Sequence, residues 1–320
     1  MITFDNVTKT FPDQTTAINS IDLSIKKGEF FVLIGPSGCG KTTTLKTINR
    51  LIPISDGTIL IDDRRISDYN INELRWNIGY VLQQIALFPH MTVAENIAIV
   101  PELKKWSAQS ISKRTSELLD MVDLDPDTYK DRLPTELSGG EQQRIGVIRA
   151  LAADPDIILM DEPFSALDPI TREKLQDDMI RLQQNIKKTI VFVTHDIQEA
   201  VKLADRMAIM KNGQLVQVGT PEQIIDHPAN DFVKTFTSNQ KHHNHLKIET
   251  FVQETELDVD SHVSILKDRP LSELLRLLHD HEEVIVRDQE KVIGSIHRNQ
   301  LIIKLADYYE KGGEFNESTH

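Results

Sequence analysis

The segment Gly35-Pro36-Ser37-Gly38-Cys39-Gly40-Lys41-Thr42-Thr43 puts three glycines, a lysine and three hydroxyls directly after the apolar run Phe30–Ile34. Glycines at this spacing let successive backbone N–H groups turn inward around a phosphate chain. A helix opening near Lys41 would add its positive end. Lys41 is then placed to reach β and γ phosphates, and the Thr42 hydroxyl to bind Mg²⁺. Cys39 has no base assigned to it and reads as a structural loop residue, not a nucleophile.

Two further apolar runs end in chemistry. Ile157-Ile158-Leu159-Met160 leads into Asp161-Glu162, and Thr189-Ile190-Val191-Phe192-Val193 leads into Thr194-His195. Open parallel sheets bind ligands at the carboxyl ends of their strands. Asp161 can therefore hold the Mg²⁺ shell, Glu162 can polarise an attacking water, and His195 can contact a γ-phosphate. A second glycine-bearing stretch, Glu136-Leu137-Ser138-Gly139-Gly140-Glu141-Gln142-Gln143-Arg144, opens another polar helix. Taken by itself it has three readings: a second phosphate site, half of a shared one, or a plain capping turn.

These residues need a scaffold. Residues 2–25 mix β-branched and polar residues in short runs and predict antiparallel strands. The three apolar runs alternate with helical patterns and predict a parallel sheet covered by helices. Residues 93–153 are almost wholly helical in pattern, broken at Pro134 and Gly139-Gly140. The expected division is a nucleotide-binding domain over 1–237, with its helical subdomain at about 93–153, and a polar linker over 238–252. A small module over 253–310 and a disordered tail over 311–320 complete it. The module pattern is strand, helix, strand, strand, helix. His242, His243 and His245 belong to the linker and read as solvated, because no Cys or acidic ligand pattern frames them.

Composition limits the partners. The chain has 320 residues and a formal charge of −13, which argues against nucleic acid. Its one cysteine rules out an intrachain disulfide and suits a reducing interior. No run of ~18 apolar residues predicts a transmembrane helix, and the N-terminus lacks the order of a signal peptide. The expectation is a cytosolic protein that can sit on a membrane through a partner.

The motifs, taken in order, resemble those of an ATP-binding cassette (ABC) ATPase. Gly35–Thr42 is similar to the family's Walker A loop, and Gln83 in Tyr80-Val81-Leu82-Gln83 to its Q-loop. Leu137–Gln143 is similar to the signature, and Ile157–Glu162 to Walker B. Ser165-Ala166-Leu167-Asp168 matches the D-loop, His195 the switch histidine, and Phe11 the aromatic that stacks on adenine. Six ordered motifs over roughly 235 residues make a specific resemblance. It implies a P-loop NTPase of α/β class, with a mostly parallel sheet, an antiparallel β subdomain and a helical subdomain. It also implies ATP and Mg²⁺, with Thr42, Gln83 and Asp161 around the metal and Lys41, Gln83, Glu162 and His195 catalytic. The nucleotide would lie on Phe11, Gly35, Pro36, Ser37, Gly38, Cys39, Gly40, Lys41, Thr42 and Thr43. In this family the signature meets ATP held by a second copy. Ser138, Gly139, Gly140 and Gln142 would then act in trans within a head-to-tail homodimer.

Finer resemblance points to the ATPases of osmoprotectant importers for glycine betaine, carnitine or choline. The residues carrying it are 80–92, 47–52 and 167–172. It implies permease subunits and a solute-binding protein as partners, with the chain peripheral on the inner face of the cell membrane. The segment 83–92 resembles the importer form of the loop that receives a membrane subunit, and its apolar residues would need a cover. Two alternatives stand beside this: an ABC ATPase switch acting on a soluble partner, and an importer of another small solute. Val292-Ile293-Gly294-Ser295-Ile296 and the helix after it resemble the second half of one cystathionine-β-synthase (CBS) motif, and only one such motif is evident where the family pairs two. His297 and Gln300 fall where that family often has a hydroxyl and an aspartate. A nucleotide ligand such as cyclic di-AMP and a dimerisation role are both open readings for this module.

Overall fold

The structure is a computed structural model describing residues 1–83, 86–165, 167–244, 248–253, 263–267, 269, 271–289 and 291–310. The chain divides into two compact units, Met1–Lys234 and Thr235–His320.

The first unit holds two sheets. In chain order come β1 (Ile2–Thr10), β2 (Thr16–Ile25), β3 (Phe30–Ile34), α1 (Lys41–Ile48), β4 (Asp56–Ile61) and β5 (Arg64–Arg65). Then follow α2 (Ile71–Trp76), β6 (Ile78–Val81), α3 (Val93–Leu103), α4 (Ala108–Met121), α5 (Pro126–Tyr129) and α6 (Gly139–Leu151). The rest of the unit is β7 (Ile157–Asp161), α7 (Pro169–Ile186), β8 (Thr189–Thr194), α8 (Ile197–Leu203), β9 (Arg206–Lys211), β10 (Gln214–Gly219) and α9 (Pro221–Asp226). Helix α10 (Asp231–Asn244) leads into the second unit.

The smaller sheet has the order β2-β1-β4-β5 and is antiparallel throughout. Its strands alternate buried and exposed residues, as expected for a sheet with one wet face. The larger sheet has the order β10-β9-β3-β8-β7-β6. All its pairs are parallel except the β9–β10 edge. β3, β7 and β8 are buried at every position, which explains their unbroken apolar sequence. One core joins the two sheets, with Phe4, Ile25 and Ile59 packed in the same cluster as Phe31, Leu33, Leu159 and Val191.

Helices α3 to α6 occupy the stretch predicted to be helical. A buried asparagine organises its entrance. Asn96 is wholly buried in the first turns of α3. Its Oδ1 accepts the Phe88 N–H at 2.8 Å, and its amide donates toward the carbonyls of Phe88, Met91 and Thr92 at 3.0–3.2 Å. Thr92 and Glu95 close a capping box over the same helix start. The loop before α3 is thereby tied to the helix through its backbone.

In the second unit, β11 (Ser264–Leu266) pairs parallel with β12 (Glu283–Asp288), and β12 antiparallel with β13 (Lys291–His297). α11 (Leu271–Asp280) joins the first two strands, and α12 (Arg298–Glu310) follows the third. Val284, Val286, Ile296, Leu274, Leu278 and Leu301 share its core. The stretch read as a linker is partly regular: residues 238–244 continue α10, and Ile248–Phe251 form a 3-10 turn. That polar run contains no Gly or Pro, so nothing in its backbone stops a helix already started at Asp231. His242 and His243 lie on α10, while His245 and the tail 311–320 fall outside the described residues.

Replacing Asn96 by Ala should strand the Phe88 N–H and three carbonyls without side-chain partners. The expected loss is about 2–4 kcal/mol of unfolding free energy. Denaturant titration should show a lower midpoint with an unchanged slope.

Candidate functional site

Parallel pairing brings the chemistry to one edge. Ile34 is in register with Thr194, Asp161 with Val193, and Val81 with Met160. The residues that follow β3, β6, β7 and β8 therefore emerge side by side: the loop from Gly35, Gln83, Asp161-Glu162 and His195.

The loop 35–40 ends at Gly40, which has a φ of 106° and serves as N-cap of α1 without a side-chain cap. A Cβ there would lie 2.1 Å from the Ala17 carbonyl oxygen, so both conformation and space demand glycine. The helix start thus presents bare N–H groups. Lys41 is 5% exposed, and its Nζ donates to the carbonyls of Gly35 and Pro36 at 2.8 and 3.0 Å. Cys39 is buried, and that burial pushes its thiol pKa up, against the neighbouring Lys41 charge. A raised thiol pKa agrees with a structural role.

Thr42 Oγ1 donates to Asp161 Oδ1 at 2.6 Å, joining the α1 start to the end of β7. Two residues without an assigned role in the sequence also reach this carboxylate. Tyr80 OH donates to Asp161 Oδ2 at 3.3 Å, and Lys46 Nζ lies 3.7 Å from the same oxygen. Burial and the Asp161 charge hold the Tyr80 phenol well above its ordinary pKa, so it stays a donor. Lys46 lies one turn after Thr42 on α1, the only cue that it shares this face.

Glu162 sits in the left-handed region, with a φ of 44°. Its N–H donates to the Val193 carbonyl at 3.0 Å, and Ser165 Oγ donates to its carbonyl at 3.0 Å. The backbone strain is held by the next strand and by the following turn. Its Oε2 meets His195 Nδ1 at 3.1 Å and Gln83 Nε2 at 3.5 Å. Three predicted site residues from three strand ends converge on that one oxygen. Phe11 lies between β1 and β2 with the Lys9 ammonium 5.0 Å above its ring. Among the described residues, no bond links it to this carboxylate cluster.

The stretch 136–144 forms the cap of α6. Ser138 Oγ accepts the Glu141 N–H at 3.3 Å, and Glu141 Oε2 accepts both the Ser138 N–H and its hydroxyl at 2.7 Å. Tyr129 OH donates to Glu141 Oε1 at 2.5 Å. Gln142 Nε2 turns back to the Leu137 carbonyl at 3.0 Å. At Gly139 a Cβ would meet nothing within 4 Å. Packing within this chain therefore gives no reason for that glycine.

The loop ahead of α3 borders a groove of ≈ 490 Å³, whose walls include Trp76, Leu82, Phe88, Ile99 and Val100. Leu82 and Phe88 are 39% and 46% exposed. Arg149 Nη1 donates to the Ala86 carbonyl at 2.7 Å and braces the loop from α6. Gln84, Ile85 and Ala166 lie outside the described residues. Sequence patterning marked this loop but gave no cue to Arg149 or Asn96.

The Tyr129 hydroxyl, then the Ser138 bonds, hold the Glu141 carboxyl below the usual glutamate range. Its contribution to the α6 cap is therefore present above the unfolded carboxyl's pKa and lost as pH falls through the lower folded value. The protection factor of the Ser138 amide, with the intrinsic pH dependence of exchange divided out, should fall across that acidic window, and Glu141→Gln should remove that fall. A protection factor that is flat with pH in the unaltered protein would refute this coupling.

The ABC transporter family profile matches residues 18–165. The choline transport ATP-binding protein of Bacillus subtilis is 50% identical over 303 residues, covering 92% of this chain and 77% of that protein. The osmoprotectant import ATP-binding protein of Salmonella typhimurium is 44% identical over 307 residues, covering 94% of this chain and 80% of its own. A dimeric structure of a bacterial ABC transporter cassette aligns with a TM-score of 0.62 at 37% identity, covering 69% of this chain and 99% of that one. The same cassette in a post-hydrolysis state bound to ADP and Pi gives 0.62 at 36%, with the same coverage. With relatives of this kind aligned over more than nine-tenths of its length, the chain belongs to the ABC transporter family as an ATP-binding, ATP-hydrolysing subunit.

Proposed function

We propose that two copies of this chain close head to tail over two ATP molecules and power the import of a quaternary-amine osmoprotectant such as glycine betaine, carnitine or choline. The observation carrying the shared site is the α6 cap. Gly139 faces open space, while the helix start offers unpaired N–H donors suited to a γ-phosphate. A second copy supplying that phosphate explains a glycine that this chain's own packing does not require.

Within each site, the loop amides and Lys41 bind the phosphates, and Phe11 stacks on the base. Thr42 and Asp161 offer hard oxygens 2.6 Å apart, the donor type that Mg²⁺ takes, with Gln83 at the rim. Bound there, Mg²⁺ would neutralise charge on the transferring phosphate. Glu162 orients and polarises the attacking water, while His195, held through Nδ1, keeps Nε2 for the γ-phosphate. Hydrolysis removes the bridge that favours the closed pair, which links the chemistry to opening.

The groove beside Phe88 supports docking of a permease subunit, since its exposed apolar walls need a cover. Among the described residues no helix is long and apolar enough to span a membrane. The likeness to importer ATPases supports a position on the cytoplasmic face, held by permease partners and served by a solute-binding protein. For the second unit we retain the CBS-like assignment. Exposed Leu275, Ile302 and Ile303 favour pairing with a second copy, and His297 and Gln300 would flank any nucleotide ligand there.

Reconstituted with its permease and binding subunits, the chain should drive ATP-dependent uptake of at least one of labelled glycine betaine, carnitine and choline. No uptake of any of the three would overturn the cargo, and capture of soluble partners alone would overturn transport. Ser138→Arg should leave nucleotide binding by the monomer within about threefold while cutting turnover at least about tenfold. It should also abolish ATP-dependent dimerisation, and normal turnover in that variant would end the shared-site reading.

A further inference from the structure

Behind His195 lies a buried carboxylate without a role in the chemistry above. Glu199, on α8 four residues after the histidine, is 5% exposed. Its Oε2 accepts the Thr194 hydroxyl at 2.5 Å, and the same Thr194 oxygen accepts the Asp196 N–H at 3.0 Å. A threonine hydroxyl has one proton to give. Once Glu199 takes it, the lone pairs are turned toward the Asp196 amide. His195 is the residue enclosed by that bond, so the turn presenting the imidazole is closed by a hydroxyl whose orientation Glu199 sets.

The other oxygen faces the opposite way. Arg172 Nε lies 4.0 Å from Glu199 Oε1, and Arg172 Nη2 donates to the Leu167 carbonyl at 3.0 Å. That Nε is buried and has no hydrogen-bond partner among the described residues. Leu167 follows Glu162 by five residues and ends the turn that Ser165 ties to the Glu162 carbonyl. A cavity of ≈ 40 Å³ separates these groups, bounded by Glu162, Ser165, Arg172, Thr194, His195 and Glu199. A carboxylate buried beside one imperfectly placed guanidinium is costly, and a well-packed apolar residue would often serve stability as well. Burial does push the Glu199 carboxyl pKa up, while the Thr194 bond opposes the rise.

We propose that Glu199 is a positioning residue for hydrolysis: through Thr194 it sets the His195 turn, and through Arg172 it couples that turn to the segment 165–168. The proposal rests on the reading of His195 as the γ-phosphate contact. Stability alone requires only that the carboxylate be satisfied. Positioning requires that breaking the Thr194 link act through His195.

The test uses the full-length chain and steady-state ATP hydrolysis. Thr194→Val, nearly isosteric, should lower kcat about tenfold with the KM for ATP changed less than about threefold. Its nucleotide affinity should be retained, and its melting temperature, lowered by the unpartnered Glu199 carboxylate, should stay above the assay temperature. Glu199→Gln keeps an acceptor for the hydroxyl and should recover most of the rate lost in Glu199→Ala. Adding Thr194→Val to His195→Ala should cause no further loss, because the residue being positioned is already gone. Wild-type kcat in Thr194→Val overturns the proposal, as does the same fold-loss in both backgrounds. Full turnover by His195→Ala instead overturns the underlying site reading, and the positioning role with it. If Glu199→Ala does not fold, the Thr194 pair of measurements decides.

Discussion

β3 is buried at every residue and hydrogen-bonded parallel to β8 on one side and β9 on the other. A strand in that position cannot slip without carrying its whole apolar set out of register. Everything the site does depends on this constraint. With β3 locked, the first loop residue Gly35 and the helix start at Lys41 have fixed places. The ends of β7 and β8 fall beside them through the same ladder. The Thr42–Asp161 bond can form across 119 residues of sequence because both backbones are held by the sheet.

The sheet edge is also where charge is concentrated and paired. A chain of formal charge −13 that binds ATP must still hold a polyanion, and this edge offers backbone amides and a few placed cations. Lys41 is anchored by two carbonyls, and Lys46 approaches Asp161. Glu162 is shared by an imidazole and an amide. The result is a local field suited to phosphate within an acidic surface, which net charge alone would not reveal.

The start of α6 is built by a different logic. The α6 start uses the capping box of Ser138 and Glu141, tightened by Tyr129, to shape a turn whose glycine faces outward. Its geometry is complete within the chain while its chemistry is not. The loop before α3 has the same character, because Asn96 and Arg149 brace it while Leu82 and Phe88 stay exposed. Both surfaces are well supported and uncovered, as expected of elements whose partners lie outside the chain.

The sequence by itself determined the phosphate loop, the acidic strand end, the capped glycine helix and the alternation of buried strands with helices. Each rests on local spacing: a glycine pattern, a five-residue apolar run, a serine three residues before a glutamate. It did not reveal that residues 238–244 are helical, because their polar composition resembles a turn-rich segment, though no Gly or Pro there breaks a helix. Tertiary structure alone decided which distant groups meet. Tyr80 and Lys46 on Asp161, Arg149 on the Ala86 carbonyl, and the line from Leu167 through Arg172 and Glu199 to Thr194 have no local signature. Such contacts depend on strand order and helix placement, which arise from packing over the whole domain and leave no short-range periodicity in the chain.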